Sequence, residues 1–321
     1  MFANKSRNRM SLALSAAILF VLACSISVEG PAQSASPAPT LDATKAALEF
    51  QGTQIAQQLT DVARGNPGAS PTQPPPPAAP TDAPPTTVLP SSTPDLMARM
   101  KSAKILVYEN TDERNIGLFI KQALDNLGLT YTHTGSYSGH FMEYLNSGTI
   151  YDLIIVGAED KDKISGEFWD VINTRLTRDN AALIVEIWYL DREANGPISK
   201  VMGQCGIRYQ KDYDLADSIY WWVPTHPIFN EPNTVLPLLH YSRFWASQAG
   251  DQIRIGGSGD AVLLAGRQVQ SQSQEGLLAV CMEGRVVFQT FSSHDYNQAD
   301  IVPLWENYIY NTLKARFAAM P

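Results

Sequence analysis

Residues 151–160 read YDLIIVGAED, and the fold turns on Leu153, Ile154, Ile155 and Val156, which are apolar at every position rather than at alternate ones. A strand with one wet face alternates apolar and polar residues, whereas a parallel strand covered by helices on both sides is apolar throughout. Two other stretches repeat the pattern, KILVYEN at 104–110 and AALIVEIW at 181–188. Between them lie helical periods. Ile116, Phe119, Ile120, Ala123 and Leu127 recur at a spacing of 3.6, with Asp112 as a cap and Gly128 as the stop. Residues 129–133 read as a second strand, 139–146 and 164–176 as helices, and 197–204 as a helix closed by Gly206. Strands alternating with helices predict right-handed crossovers and a parallel sheet wrapped on both faces.

The second half of the chain reads differently. Residues 218–223, 253–255, 261–265, 277–282 and 285–290 have strand character and are joined by turns, with Glu283-Gly284 as a hairpin signal. Residues 301–317 form a closing helix with Trp305, Tyr308, Ile309 and Leu313 along one face. At the other boundary, Thr93-Pro94-Asp95 combines a capping hydroxyl, a proline at the first helical position and an early acid, so the folded domain is expected over 94–321.

The residues before it read as an address and a tether. Lys5, Arg7 and Arg9 precede an apolar run at 12–23, too short to cross a bilayer comfortably, which makes 1–23 a signal peptide. Val21-Leu22-Ala23-Cys24 resembles the bacterial lipoprotein lipobox, with Leu where a small residue is more usual. The resemblance implies a diacylated Cys24, an extracytoplasmic location, and a membrane partner reached through the lipid, since more than one acyl chain anchors stably. The alternatives are an ordinary cleaved signal in which Cys24 is incidental, and an uncleaved anchor. Residues 24–40 are a Ser/Ala/Pro linker, 41–65 a proline-free short helix, and 66–93 a Pro-rich spacer. Seven-residue spacing of Leu41, Leu48, Ile55 and Val62 suggests a coiled coil, but Lys45 and Gly52 interrupt the seam.

Net charge is −8 over 321 residues, and loss of 1–23 makes the chain three charges more negative. Nucleic-acid affinity rests on clustered Lys and Arg displacing counterions, so nucleic acid is excluded as a main partner.

The order of elements resembles the flavodoxin-like core of the class I glutamine amidotransferase-like superfamily, especially its non-amidotransferase, trehalose-utilization-type branch. The residues that carry the resemblance are KILVYEN at 104–110, YDLIIVGAED at 151–160, LIVEIW at 183–188, THPIF at 225–229 and EGLLAVCMEGRVVFQTFSSHDY at 275–296. It implies an α/β, flavodoxin-like three-layer sandwich with a mainly parallel sheet and an antiparallel C-terminal extension. Ligands of such sheets bind at the C-terminal ends of the strands. That edge is expected to gather Glu109, Asn110, Glu159, Asp160, Trp188, Asp191, His294 and Asp295.

Catalytic members of the superfamily carry a nucleophilic cysteine at a tight turn after the fourth strand, served by a later histidine and acid. Here that turn reads Ile187-Trp188-Tyr189-Leu190-Asp191, and neither indole nor phenol replaces a thiolate. His294-Asp295, preceded by Ser292 and Ser293, matches the later pair in place, and His294 is open to two readings, a general base or a loop cap. Cys205, in Gly203-Gln204-Cys205-Gly206, falls at a helix end rather than after a strand. Cys281 lies in an apolar run, and a disulfide between the two is left open. His226 precedes Pro227 in a turn and reads as a local structural group. Tyr220, Trp221, Trp222, Phe244 and Trp245 are open between sugar stacking and core packing.

Two functions follow. The first is a surface-anchored, non-catalytic domain that binds a small-molecule or carbohydrate ligand or a protein, with Asn110, Glu159, Trp188 and His294 as ligand contacts. The second is an extracytoplasmic hydrolase acting on a saccharide or related small molecule, with catalytic candidates His294, Asp295, Glu109 and Asp191. A His294 within reach of Glu109, Glu159 or Asp191 in an open cleft favours the hydrolase; a buried His294 held only by backbone favours binding. No histidine pair or cysteine cluster has metal-ligand spacing, so the sequence calls for neither metal nor cofactor and leaves the oligomeric state open.

Overall fold

Three strands, β1 (Ile105–Asn110), β3 (Leu153–Ala158) and β4 (Ala182–Ile187), lie side by side, parallel and in register, and every residue of each is buried. The computed structural model describes residues 95–111, 114–160, 166–245, 249–271 and 274–320, all within the unit Val88–Pro321. The signal, lipid-bearing Cys24, linkers and short helix expected over 1–93 lie outside the described residues, as does Asp112. Among the described residues no helix is long and apolar enough to cross a membrane.

β2 (Thr132–His133) adds to the outer side of β1, and β11 (Val286–Gln289) to the outer side of β4, both parallel. Beyond β11 come β10 (Leu278–Cys281), β8 (Val262–Gly266) and β6 (Tyr220–Trp221), each antiparallel to its neighbour. The eight strands run β2-β1-β3-β4-β11-β10-β8-β6. The parallel part has the 2-1-3-4 order of flavodoxin-like sheets and the antiparallel part extends it, as the sequence predicts.

Alternation along β1 divides the core. Ile105 and Val107 pack with α2 (Phe119–Asn126), α7 (Gln298–Ala319) and the short α1 (Leu96–Lys101) on one face. Leu106 and Tyr108 pack with α3 (Ser138–Asn146), α4 (Phe168–Arg178) and α6 (Ile198–Cys205) on the other. Each Val, Leu or Ile buried this way contributes about 1.5–3 kcal/mol, which is why three uninterrupted apolar strands fix the middle layer.

Four local expectations are revised. Helix α2 begins at Phe119, because Glu109 rather than a local side chain receives its first N–H groups. Asp95, expected in the first turn of α1, is its N-cap and accepts from Met97 N at 3.0 Å. The expected strand at 218–223 contracts to two residues. Two further strands escape the sequence pattern: β5 (Ile207–Tyr213) and β9 (Glu275–Gly276) flank β7 (Gly250–Ile255) in a separate antiparallel sheet, β5-β7-β9. β5 follows α6 with only Gly206 between them. Gly206 has φ +72°, and a Cβ there would meet the Gly259 backbone, so the sharp reversal needs glycine.

Cys205 and Cys281 are joined in a disulfide, with Cα atoms 5.3 Å apart across 76 residues of sequence. The bridge ties the α6–β5 junction to β10 of the large sheet and removes Cys205 as a nucleophile.

Candidate functional site

The C-terminal ends of β1, β3, β4 and β11 open onto one edge, and of the charged residues expected there His294 and Asp295 lie around Glu159. Its carboxylate accepts from Ser292 Oγ at 3.0 and 2.8 Å, from Trp245 Nε1 at 2.9 Å, and from the His294 backbone N–H at 3.3 Å. His294 Nδ1 stands 2.8 Å from Glu159 Oε1, close enough for an ion pair though off the line of an ideal hydrogen bond. The other ring nitrogen, Nε2, faces the Gly117 carbonyl at 3.1 Å and so must donate to it. A ring with an acceptor oxygen beside each nitrogen is biased toward the protonated form. Burial opposes that charge, but the Glu159 contact and the Gly117 carbonyl outweigh it and raise His294 above its ordinary value.

Below Glu159 is a carboxyl that no family pattern flagged. Glu186 lies near the end of β4, in register with Gln289 on β11, and is 2 % exposed. Its Oε1 accepts from Ser293 N at 2.6 Å and from Gln289 Nε2 at 3.1 Å. Burial first, and the charge of Glu159 second, push Glu186 well above the usual carboxylate range. That biases Glu186 toward its protonated form beside Glu159. Burial works to raise Glu159 too, but His294, Glu186 and Ser292 reverse that and hold it below its ordinary value. Two neighbouring buried carboxyls disfavour double ionisation, and the two shifts run in opposite directions accordingly. Ser293 Oγ accepts from Gln289 Nε2 at 2.9 Å and Trp305 Nε1 at 3.0 Å, completing the network. The signal for Glu186 was a lone acid inside the apolar run 181–188.

The network is covered. Phe119 stacks on the His294 ring with centroids 4.2 Å apart, and the His294 side chain is 6 % exposed. Trp188, directly after β4, is buried and donates Nε1 to the Glu159 carbonyl at 3.1 Å, while its ring lies 4.9 Å from Trp245. Asn110 is fully buried, with Nδ2 at 3.5 Å from Asp160 Oδ2. The Arg114 guanidinium covers the Trp245 ring from 4.9 Å.

Other candidates have separate tasks. Glu109 accepts from Ile120 N at 2.9 Å and Lys121 N at 3.1 Å, placing its charge at the N-terminus of α2, and contacts His133 Nε2 at 3.0 Å. The close approach of α2 depends on Gly157, where a Cβ would collide with Ile120. Asp295 is buried beside the network, with Trp245 N at 3.3 Å from Oδ1, and burial pushes its carboxyl up to about 7. His226 Nδ1 accepts from Ile228 N at 3.2 Å, as befits a turn residue. Trp221 is buried and stacked on Phe229 at 4.2 Å.

Asp191 does not join Glu159. It follows β4 on the short helix α5 (Leu190–Glu193) and lies with Asp212 of β5 and Asp251 of β7, one carboxylate oxygen of each within 4.8 Å of the others. Burial and the neighbouring acids push Asp251 up to about 9.

Chemically, the arrangement around Glu159 is a star and not a relay. In a relay the serine meets the imidazole, and the imidazole meets the acid. Here Ser292 and His294 both meet the acid, and the nitrogen that would serve a nucleophile is spent on the Gly117 carbonyl. Compared with known proteins, the chain matches no family model and no curated sequence.

Proposed function

We propose that this chain is an exported, lipid-anchored protein whose folded domain, amidotransferase-like in its order of elements, binds a polar small molecule, carbohydrate or protein without turning it over. One observation carries the reading: His294 Nε2 is bonded to the Gly117 carbonyl at 3.1 Å, so among the described residues the imidazole nitrogen that would serve a nucleophile is already engaged. The Cys205–Cys281 disulfide supports export, since such bridges persist in oxidising compartments. A cleft of about 580 Å³, lined in part by Lys211, Asp217, Trp222, Arg267 and Glu275, offers a polar ligand a place that leaves the Glu159 network closed. A flat indole among paired charges suits a sugar ring and its hydroxyls.

The hydrolase reading retains one support, the 2.8 Å contact between His294 and Glu159. A glycan and metabolite binding screen on the full chain separates the two, with glutamine and saccharide hydrolysis measured in parallel. Binding without turnover, lost in Trp222→Ala and kept in His294→Ala, is the expected result. Turnover that disappears in His294→Ala would replace the binding function with hydrolysis.

A further inference from the structure

Asp212 of β5 and Asp251 of β7 are direct partners across an antiparallel ladder. Like charges in that position repel, and Asp191 brings a third carboxylate into the same space, with one oxygen of each within 4.8 Å of the others. Among the described residues no lysine or arginine pairs with any of the three, and the one side-chain donor is Tyr209, whose hydroxyl meets Asp212. Asp251 is completely buried. One of its oxygens receives the Leu190 N–H; the other, Oδ1, has no donor among the described residues, and neither has the buried Oδ1 of Asp191. A buried carboxylate oxygen without a donor is costly, and either a proton or a cation answers it.

We propose that Asp191, Asp212 and Asp251 together bind a calcium ion. The donors are hard carboxylate oxygens, which select Ca²⁺ or Mg²⁺ over softer metals. Oxygens bound to one Ca²⁺ lie about 2.3–2.6 Å from it and so within roughly 5 Å of each other, as these do, and the exposed side of Asp212 leaves room for the waters that complete six to eight ligands. The bound ion clamps α5, directly after Trp188 and Tyr189, to the small β5-β7-β9 sheet. It thereby reinforces the junction between the end of β4 and that sheet, where Leu190 already packs with Ile207 and Ile253 and bonds to Asp251.

The test uses the full chain stripped with a chelator, followed by calorimetric titration with CaCl₂ and by thermal unfolding with and without the ion. One ion per chain is expected, and Tm is expected to rise by roughly 5–10 °C when calcium exceeds its Kd about a hundredfold. Asp251→Asn risks the fold, so the exposed Asp212→Asn and the partly exposed Asp191→Asn are the informative variants. Each should weaken binding by about tenfold or more. In chelator each should be at least as stable as the unaltered chain, because one repelling charge is gone; in calcium each should be less stable. The proposal fails if no heat and no Tm shift are seen up to roughly 10 mM CaCl₂, above the range of weak extracellular calcium modules. It also fails if the shift persists in both variants or is reproduced by NaCl at equal ionic strength.

Discussion

The Glu159 network and the Asp191–Asp212–Asp251 cluster set the same problem, buried or crowded carboxylates, and the chain treats them oppositely. Around Glu159 the carboxylate meets the His294 ring, the Ser292 hydroxyl, the Trp245 indole, the His294 backbone N–H and a second carboxyl that burial biases toward its protonated form. Around Asp251 two acids face a third with no cationic side chain among the described residues and with two buried oxygens lacking donors, and burial and the neighbouring acids push Asp251 up to about 9. A compensated polar network is part of the framework. An uncompensated one points to something from outside the chain.

The largest expected break in that contrast is Glu159→Ala. It leaves the His294 charge, Ser292, Trp245 and the Glu186 acid without their common acceptor, and removing one partner of a buried ion pair costs about 3–5 kcal/mol. Urea unfolding at neutral pH should record a loss of that order; a loss below about 1 kcal/mol would mean that the network carries little of the fold.

His294→Ala comes next, at about 2 kcal/mol, and its cost should depend on pH. The folded value of His294 is raised, so its stabilisation is fully present below the unfolded value of about 6.5 and declines as pH rises through the folded one. The difference between the two proteins, measured by unfolding across this range, should therefore shrink in alkali. A difference that stays constant or grows would show that the imidazolium is not what Glu159 holds.

The smallest effect, and the one of opposite sign, belongs to Glu186→Gln. Because Glu186 is raised in the folded state, its protonation stabilises fully below the unfolded carboxylate value of about 4.3, and that contribution declines as pH rises toward the folded value. An amide accepts from Ser293 and Gln289 and donates to Glu159 at any pH. Glu186→Gln should match or exceed the unaltered chain at pH 7 by roughly 1 kcal/mol and flatten the stability profile between pH 4 and 7. Destabilisation at neutral pH would instead mean that the glutamate is charged there.

Much of the large sheet was legible because it depends on near neighbours. Strands β1, β3 and β4 announce themselves by their apolar runs, and α6 by its glycine stop. β5 was not legible: IRYQKDY carries no run and no clean alternation, because it pairs in a small sheet whose faces are partly wet. The candidate site divides the same way. His294 and Glu159 follow from their positions at strand ends. The Trp245 donor comes from a distant loop, and Glu186 reads as a misplaced charge until Gln289, Ser293 and Glu159 surround it.

What the amino-acid order determined by itself was the alternation of strands and helices, the absence of a cysteine or serine directly after β4, and the proline-rich segments before residue 94, all properties of residues close in the chain. Only the tertiary structure decided that Cys205 meets Cys281, that His294 turns both nitrogens inward, and that Asp191 leaves the edge where its position had assigned it and joins Asp212 and Asp251. Those outcomes depend on distances between segments far apart in sequence. Hydrophobic spacing directs a side chain inward or outward but does not specify which distant partner it will meet there.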